Sequence, residues 1–117
     1  MILKYYGHSF FTLTLENGSV IAFDPYGTLY EYPRRLLRAD VCLISHHHYD
    51  HDGLSCLEAG AEVIDTPGEH KLACGASVVG VPTFHDGQGG ALRGKNTFFI
   101  IEAEGLRVGH AGDLGLL

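Results

Sequence analysis

The chain has 117 residues, enough for one small domain with its own hydrophobic core. Hydrophobic residues make up 45% of it and charged residues 19%, a balance typical of globular proteins and not of disordered ones. The formal net charge of −6 argues against nonspecific binding to nucleic acids or anionic membranes. We therefore expect one domain over residues 1–117 and no membrane partner. A nucleic-acid partner is disfavoured, although folding could still build a local basic patch for such a substrate.

The chain begins with three predicted strands. Residues 2–6 form the first, and residues 10–16 alternate between apolar and polar side chains, as in a half-buried antiparallel strand. Asn17-Gly18 is a strong hairpin signal, and residues 19–24 return as the third strand. The opening segment is therefore predicted to be an antiparallel meander.

The middle of the chain is predicted to mix helices and strands. Residues 25–32 are a tyrosine-rich loop, and residues 33–39 form a short helix with proline in its first turn. A buried strand over residues 41–45 precedes a second short helix over residues 54–59, which ends near Gly60. Residues 62–66 form a further strand, which ends at the Pro-Gly pair that follows.

The last third is predicted to be a strand, a long loop and a hairpin. The strand spans residues 76–81, and the glycine-rich loop spans residues 82–96. Residues 97–102 and 106–109 pair across Glu104-Gly105. The three cysteines include no C-x-x-C pair, which indicates free thiols, and MILKYYGH is not a signal peptide, so we expect a cytoplasmic protein.

A cluster of metal-ligand side chains follows the strand over residues 41–45. His46, His48, Asp50 and His51 lie within six positions, in the pattern H-x-H-x-D-H. Imidazole and carboxylate groups bind zinc, and manganese or iron also accept them. His46 and His48 can converge on one ion, and Asp50 and His51 can hold a second. The alternative is a solvated loop that binds metal by accident.

Two more strands deliver similar residues to loops. His85 follows the strand over residues 76–81, and His110 and Asp113 follow the last strand. Three such loops at one sheet edge would bring these side chains together.

These motifs, with GHSFFTL, IAFDP and RGKNTFFIIEAEGLRVGHAGDLG, resemble the metallo-β-lactamase superfamily, and in detail its UlaG-like branch of metal-dependent hydrolases. The resemblance covers nearly the whole chain and matches the N-terminal portion of the family. It implies an α+β fold, namely the first half of a four-layer αββα sandwich with a mostly antiparallel or mixed sheet and short helices. It also implies a small-molecule substrate and two divalent metal ions, with zinc favoured over manganese or iron.

The resemblance also assigns roles to individual residues. It gives the first ion to His46, His48 and His85, the second ion to Asp50 and His51, and the bridging position to Asp113. A metal-activated water would be the nucleophile, oriented by Asp50 as the catalytic residue. Asp24 is a candidate to orient a ligating histidine, with turn capping as its alternative. His8 and His110 line the site or contact substrate, or are structural histidines.

The family fold has about twice this length, and a further histidine that completes its second metal site has no counterpart here. The chain is therefore expected to be incomplete at its C-terminus, completed by another chain, or paired with a second copy. Alone, it would expose an apolar sheet face that includes parts of residues 41–44, 78–79 and 98–101, which predicts a homo-oligomer or a partner chain.

Two functions remain open. The first is a metal-dependent hydrolase of ester, lactone or phosphodiester bonds, with a dinuclear site and a pocket framed by the loops over residues 26–32 and 82–96. The second is a truncated or non-catalytic metal-binding half-domain that needs a second chain or copy. An iron-dependent redox role ranks below both.

Overall fold

The computed structural model describes residues 1–7, 9–25, 38–45, 60–72, 74–84 and 95–112, which form two β-sheets. The first sheet has five strands in chain order: β1 (Ile2–Gly7), β2 (Phe10–Thr14), β3 (Val20–Phe23), β4 (Val41–Leu43) and β5 (Glu62–Ile64). The second sheet has four: β6 (Gly68–Lys71), β7 (Ser77–Phe84), β8 (Lys95–Ala103) and β9 (Leu106–His110).

The predicted meander is confirmed, because β1, β2 and β3 pair antiparallel in sequence order. The turn between β2 and β3 is closed by the Leu15 amide, which donates to the Ser19 carbonyl over 2.9 Å. Gly18 has a φ of +87°, a conformation that residues with a Cβ rarely adopt. The Asn-Gly signal therefore identified this turn correctly.

Strands β3, β4 and β5 pair parallel, and this pairing positions the site. Parallel strands need long crossover connections, and their carboxyl ends lie at the same edge of the sheet. Both faces of β3 and β4 are buried, which explains their nearly continuous apolar sequences. The residues that follow β3 and β4, Asp24 and Ile44, therefore lie side by side at the same edge of the sheet.

The two sheets pack face to face around one apolar core. Its buried residues come from both sheets: Leu13, Leu15, Ile21, Phe23, Val41, Leu43 and Ile64 from the first, and Leu72, Ala76, Val78, Phe99, Ile101 and Ala103 from the second sheet and the residues beside it. A second cluster lies on the opposite face of the first sheet: Phe10, Ala22, Ala39, Cys42 and Ile44. The first sheet is therefore buried on both sides near its centre.

The α+β class with short helices is wrong for the part of the chain that the structure describes, where all regular structure is β strand. Most of the two predicted helices lies outside those residues. The last two residues of the first, 38 and 39, are described and are not helical. The residue after them, Asp40, donates its amide to the Val20 carbonyl over 2.8 Å. No helix in the described ranges is long and apolar enough to span a membrane.

The expectation of a broad exposed apolar face is also largely wrong. Val41 and Leu43 are buried, as are Val78, Phe99 and Ile101, because the second sheet covers the first within the same chain. Cys42 and Ile44 are buried in the second cluster, on the opposite face of the first sheet. Val79, at 40% exposure, is the member of the expected set that remains open. The chain therefore encodes two packed sheets, and the sequence pattern had indicated only one half of a sandwich.

Candidate metal centre

The carboxyl ends of β3, β4, β7 and β9 meet at one edge of the sandwich. The residues that join them are Asp24, Ser45, Thr83, Asn96, Thr97, His110, Ala111 and Gly112. Each strand end also leads into, or lies beside, a segment that carries a predicted metal ligand.

Asp24 connects the end of β3 to the end of β4. Its carboxylate is fully buried and accepts hydrogen bonds from the Ser45 amide at 2.7 Å and the Ser45 hydroxyl at 2.5 Å. The backbone φ of Asp24 is +45°, in the left-handed region that aspartate tolerates better than most residues. This turn directs the carboxylate at Ser45, the residue immediately before His46.

His110, at the end of β9, packs between the two sheets beside this carboxylate. Its ring stacks on Phe23 with centroids 5.1 Å apart, and its Nε2 lies 3.0 Å from the Ser9 carbonyl. A carbonyl only accepts, so Nε2 carries the proton in this arrangement. The other nitrogen, Nδ1, is buried 4.0 Å from an Asp24 oxygen. His110 thus links the start of β2, next to His8, to the strand-end cluster.

Asn96 connects the ends of β7 and β9. Its side chain is 2% exposed, and Nδ2 donates to the Thr83 hydroxyl at 3.0 Å and to the Ala111 carbonyl at 2.7 Å. The Thr83 hydroxyl donates in turn to the Asn96 carbonyl at 3.1 Å. The next residue, Thr97, donates its amide to the Ser45 carbonyl at 2.8 Å, which adds β4 to the same set of contacts.

Gly112 lies where the end of β9 touches the end of β4. A Cβ at this position would lie 2.4 Å from both Cβ and Oγ of Ser45 and 2.5 Å from Oδ1 of Asn96. Real Cβ atoms do not approach other atoms so closely. The absence of a side chain therefore lets these strand ends come into contact.

The predicted ligands themselves lie outside the described residues. These are His46, His48, Asp50, His51, His85 and Asp113, together with His8. Their chain neighbours are described: Ser45 precedes His46, Gly112 precedes Asp113, and Thr83 lies two residues before His85. Two residues of extended chain span at most about 7 Å. The segments that carry His46, His85 and Asp113 thus begin from points that are joined directly or through Asn96 and Thr97.

This arrangement fits a divalent cation. The donor set is imidazole and carboxylate, and Asp24 adds a buried carboxylate beside the segment that carries His46 and His48. Within the described ranges alone, no group of three histidine, cysteine or acidic residues is placed to bind a metal. Any metal site therefore depends on the ligands that follow the strand ends.

Sequence reasoning missed Ser45, Asn96 and Gly112 as parts of this edge. One signal was available for Asn96, since asparagine is disfavoured in strands and here starts the run NTFFII. A polar residue in such a run needs hydrogen-bond partners when it is buried. Gly112 carried no comparable signal, because its need for close contact arises only from tertiary packing.

The opposite end of the sandwich carries a separate polar cluster. Glu104 accepts a hydrogen bond from the Glu16 amide at 2.6 Å and pairs with the Met1 amine at 3.2 Å. These contacts, the backbone hydrogen bond first, lower the pKa of Glu104 from its usual 4.5. A cavity of about 420 Å³, lined in part by Glu102 and Arg107, opens beside it. It lies at the opposite end of β8 from Asn96 and Thr97, and its size alone does not make it the functional site.

Comparison with known proteins identifies the family. A model of the beta-lactamase superfamily domain matches residues 2–117. The chain belongs to the metallo-β-lactamase superfamily. Over 73 residues it is 38% identical to a UPF0173 metal-dependent hydrolase from Methanosphaera stadtmanae, a match that covers 56% of this chain and 31% of that protein. A UPF0173 metal-dependent hydrolase from Anaeromyxobacter dehalogenans is 37% identical over 56 residues, or 44% of this chain and 20% of that protein.

Solved structures show a similar fold. A Thermotoga maritima protein assigned to its Zn-dependent hydrolases is 36% identical, with a TM-score of 0.72 over 97% of this chain and 50% of that one. An isothiocyanate hydrolase from Delia radicum gut bacteria is 14% identical with a TM-score of 0.73, over 100% of this chain and 64% of that one, and shares the fold alone. The chain therefore spans about half the length of the Thermotoga relative.

Proposed function

We propose that this chain carries the metal-binding half of a metal-dependent hydrolase that cleaves an ester, lactone or phosphodiester bond at a dinuclear site. The proposal is supported most by the convergence of the strand ends, since Ser45, Thr83 and Gly112 each precede a predicted ligand and are tied together. The relatives named as metal-dependent hydrolases and the UlaG-like motifs favour the same chemistry.

Each group of residues has a defined part in this chemistry. His46, His48 and His85 would hold one cation, Asp50 and His51 would hold another, and Asp113 would serve as a ligand of both. Bound divalent cations supply a Lewis acid and lower the pKa of water to about 7. Asp50 would also orient the attacking water. Asp24 holds Ser45, and through it the start of the histidine loop, by two hydrogen bonds.

The substitution Asp50→Asn tests this role. It keeps the shape of the side chain but removes the charge that orients water, so we expect hydrolysis in a broad esterase, lactonase and phosphodiesterase screen to fall at least a hundredfold. Circular dichroism should be unchanged. Glu62→Gln is the matched control, because Glu62 is exposed and lies at the start of β5, the end of that strand away from the site edge. Full activity in the Asp50 variant would remove the basis of the assignment.

A non-catalytic metal-binding half-domain is the second candidate, favoured by the fact that the chain spans 50% of the Thermotoga relative. The two candidates differ in metal content and turnover. Elemental analysis that finds two ions per chain, together with turnover in the screen, supports the hydrolase. One ion per chain without turnover supports the half-domain.

We also propose that a second copy of the chain covers the β1 edge. Three apolar side chains are exposed on this strand: Ile2 at 65%, Leu3 at 56% and Tyr5 at 59%. Such a group at the edge of a sheet favours association. Light scattering should show a dimer at micromolar concentration, and Leu3→Lys should shift it towards monomer. A wild-type monomer at high concentration would contradict this proposal.

A further inference from the structure

The side chain of Asn96 spans two strand ends with one amide group. Its Nδ2 has two hydrogens, and the two acceptors, the Thr83 hydroxyl and the Ala111 carbonyl, lie at 3.0 and 2.7 Å. Backbone pairing with β8 holds β7 and β9 apart, and beyond the last β8–β9 pair, Phe99 with His110, the Asn96 amide group links the two strand ends directly. Asn96 is 2% exposed, so water cannot readily replace either contact.

These contacts lie one or two residues from predicted ligands. Thr83 is followed two positions later by His85, and Ala111 two positions later by Asp113. The neighbouring Thr97 amide holds the Ser45 carbonyl, one residue before His46. In the proposed function, His85 belongs to the first ion and Asp113 lies between both ions. Movement of β7 relative to β9 would therefore change the separation of these two ligands.

We propose that Asn96 is a positioning residue, which holds the ligand segments after β7 and β9 at the separation that one metal ion requires. This inference rests on the proposed function, because it takes His85 and Asp113 as ligands. Asn96 does not touch the metal. It acts through the backbone at Ala111 and the hydroxyl of Thr83, so its loss changes the spacing of the ligands without removing any of them.

Metal affinity in the full chain tests the inference. Zinc binding to wild type and Asn96→Ala is measured by competition with a chromogenic chelator, at a temperature where circular dichroism shows both to be folded. Outer contacts of metal sites typically change affinity about 10- to 100-fold, and we expect the zinc dissociation constant to rise at least about tenfold. The visible spectrum of the cobalt-substituted protein should change in band position, which reports coordination geometry.

Matched variants separate positioning from general destabilisation. Val78→Ala removes core packing from β7 at a residue that is 1% exposed, and it should lower the melting temperature without changing zinc affinity. Thr83→Val deletes one partner of Asn96 and should weaken zinc binding in the same direction. Thr83→Ser keeps the hydroxyl and should restore wild-type affinity.

The outcomes distinguish this inference from the function on which it rests. Weaker zinc binding in Asn96→Ala, with unchanged binding in Val78→Ala, supports it. Equal zinc affinity in wild type and Asn96→Ala overturns it and leaves the proposed function intact. Failure of the wild type to compete for zinc at all overturns both.

Discussion

The substitution Gly112→Ala probes the contact between the ends of β4 and β9. Two features of the geometry at residue 112 should destabilise this variant. The backbone φ of +61° lies in the left-handed region, and the added methyl would lie 2.4 Å from Ser45 atoms and 2.5 Å from Asn96 Oδ1. Ser45 is buried and bonded to Asp24, so it cannot easily move away.

The magnitude follows from these two costs. A residue with a Cβ in the left-handed conformation costs about 1–2 kcal/mol, and overpacking of a filled site typically costs about 1–3 kcal/mol. Their sum predicts a loss of about 2–5 kcal/mol in the free energy of unfolding. Domains of this size are stable by only about 5–15 kcal/mol, so the effect should be easily measured.

Urea denaturation of the metal-free protein is the assay, with the midpoint and the m-value fitted separately. Gly105→Ala is the control, because Gly105 has a φ of +76° but no atom within 4 Å of the added methyl. In this control the free energy of unfolding should fall only by the cost of the left-handed backbone conformation, about 1–2 kcal/mol. If both variants lose the same free energy, the strand ends are not in the contact described, and the reasoning about the site edge fails.

Three further outcomes are expected. The hydrogen bond from the Glu16 amide lowers the pKa of Glu104, so the Glu104 carboxylate stabilises the fold above pH 4.5 and loses this contribution as the pH falls through the lowered pKa. On acidification from pH 5 to pH 3, the melting temperature of Glu104→Gln should therefore fall less than that of wild type. Ser45→Ala removes a hydrogen bond to the buried Asp24 carboxylate and should cost about 1.5–3 kcal/mol in urea denaturation, and a loss below about 0.5 kcal/mol would contradict that bond. Zinc at a hundred times its dissociation constant should raise the free energy of unfolding by about 2.7 kcal/mol, reversibly with a chelator, and no shift would mean that the folded chain binds no zinc.

The strands were predictable where side-chain alternation and turn chemistry agreed. The meander over residues 2–24 and the hairpin across Glu104-Gly105 both match the structure, because local signals determine tight antiparallel turns. Strand β6 was missed. Its sequence, GEHK, is polar and mostly exposed, and it forms a strand only because β7 supplies the partner. Edge pairing of this kind is a tertiary effect that residue patterns do not contain.

The larger error of prediction was the failure to identify the packing of the second sheet on the first. The apolar residues of β4 and β8 indicated buried strands, but the pattern alone could not identify which surface buries them. The ligand residues that the motif predicts lie outside the described residues and stay a prediction, whereas the strand ends that precede them do converge. The contacts made by Asn96 and Gly112 could not be predicted, since they depend on distances between segments far apart in sequence.

The ring of His110 reaches the Ser9 carbonyl, and the two residues lie 101 positions apart in the chain. Glu104 binds the Glu16 amide across 88 positions at the other end of the sandwich. Both contacts join early segments of the chain to segments made about a hundred residues later. The apolar face of the first sheet is covered by residues of β7 and β8, so in the nascent chain it stays exposed until β8 has left the ribosome. At about 5–20 residues per second this interval lasts several seconds, and chaperone binding to the growing chain should be strongest within it.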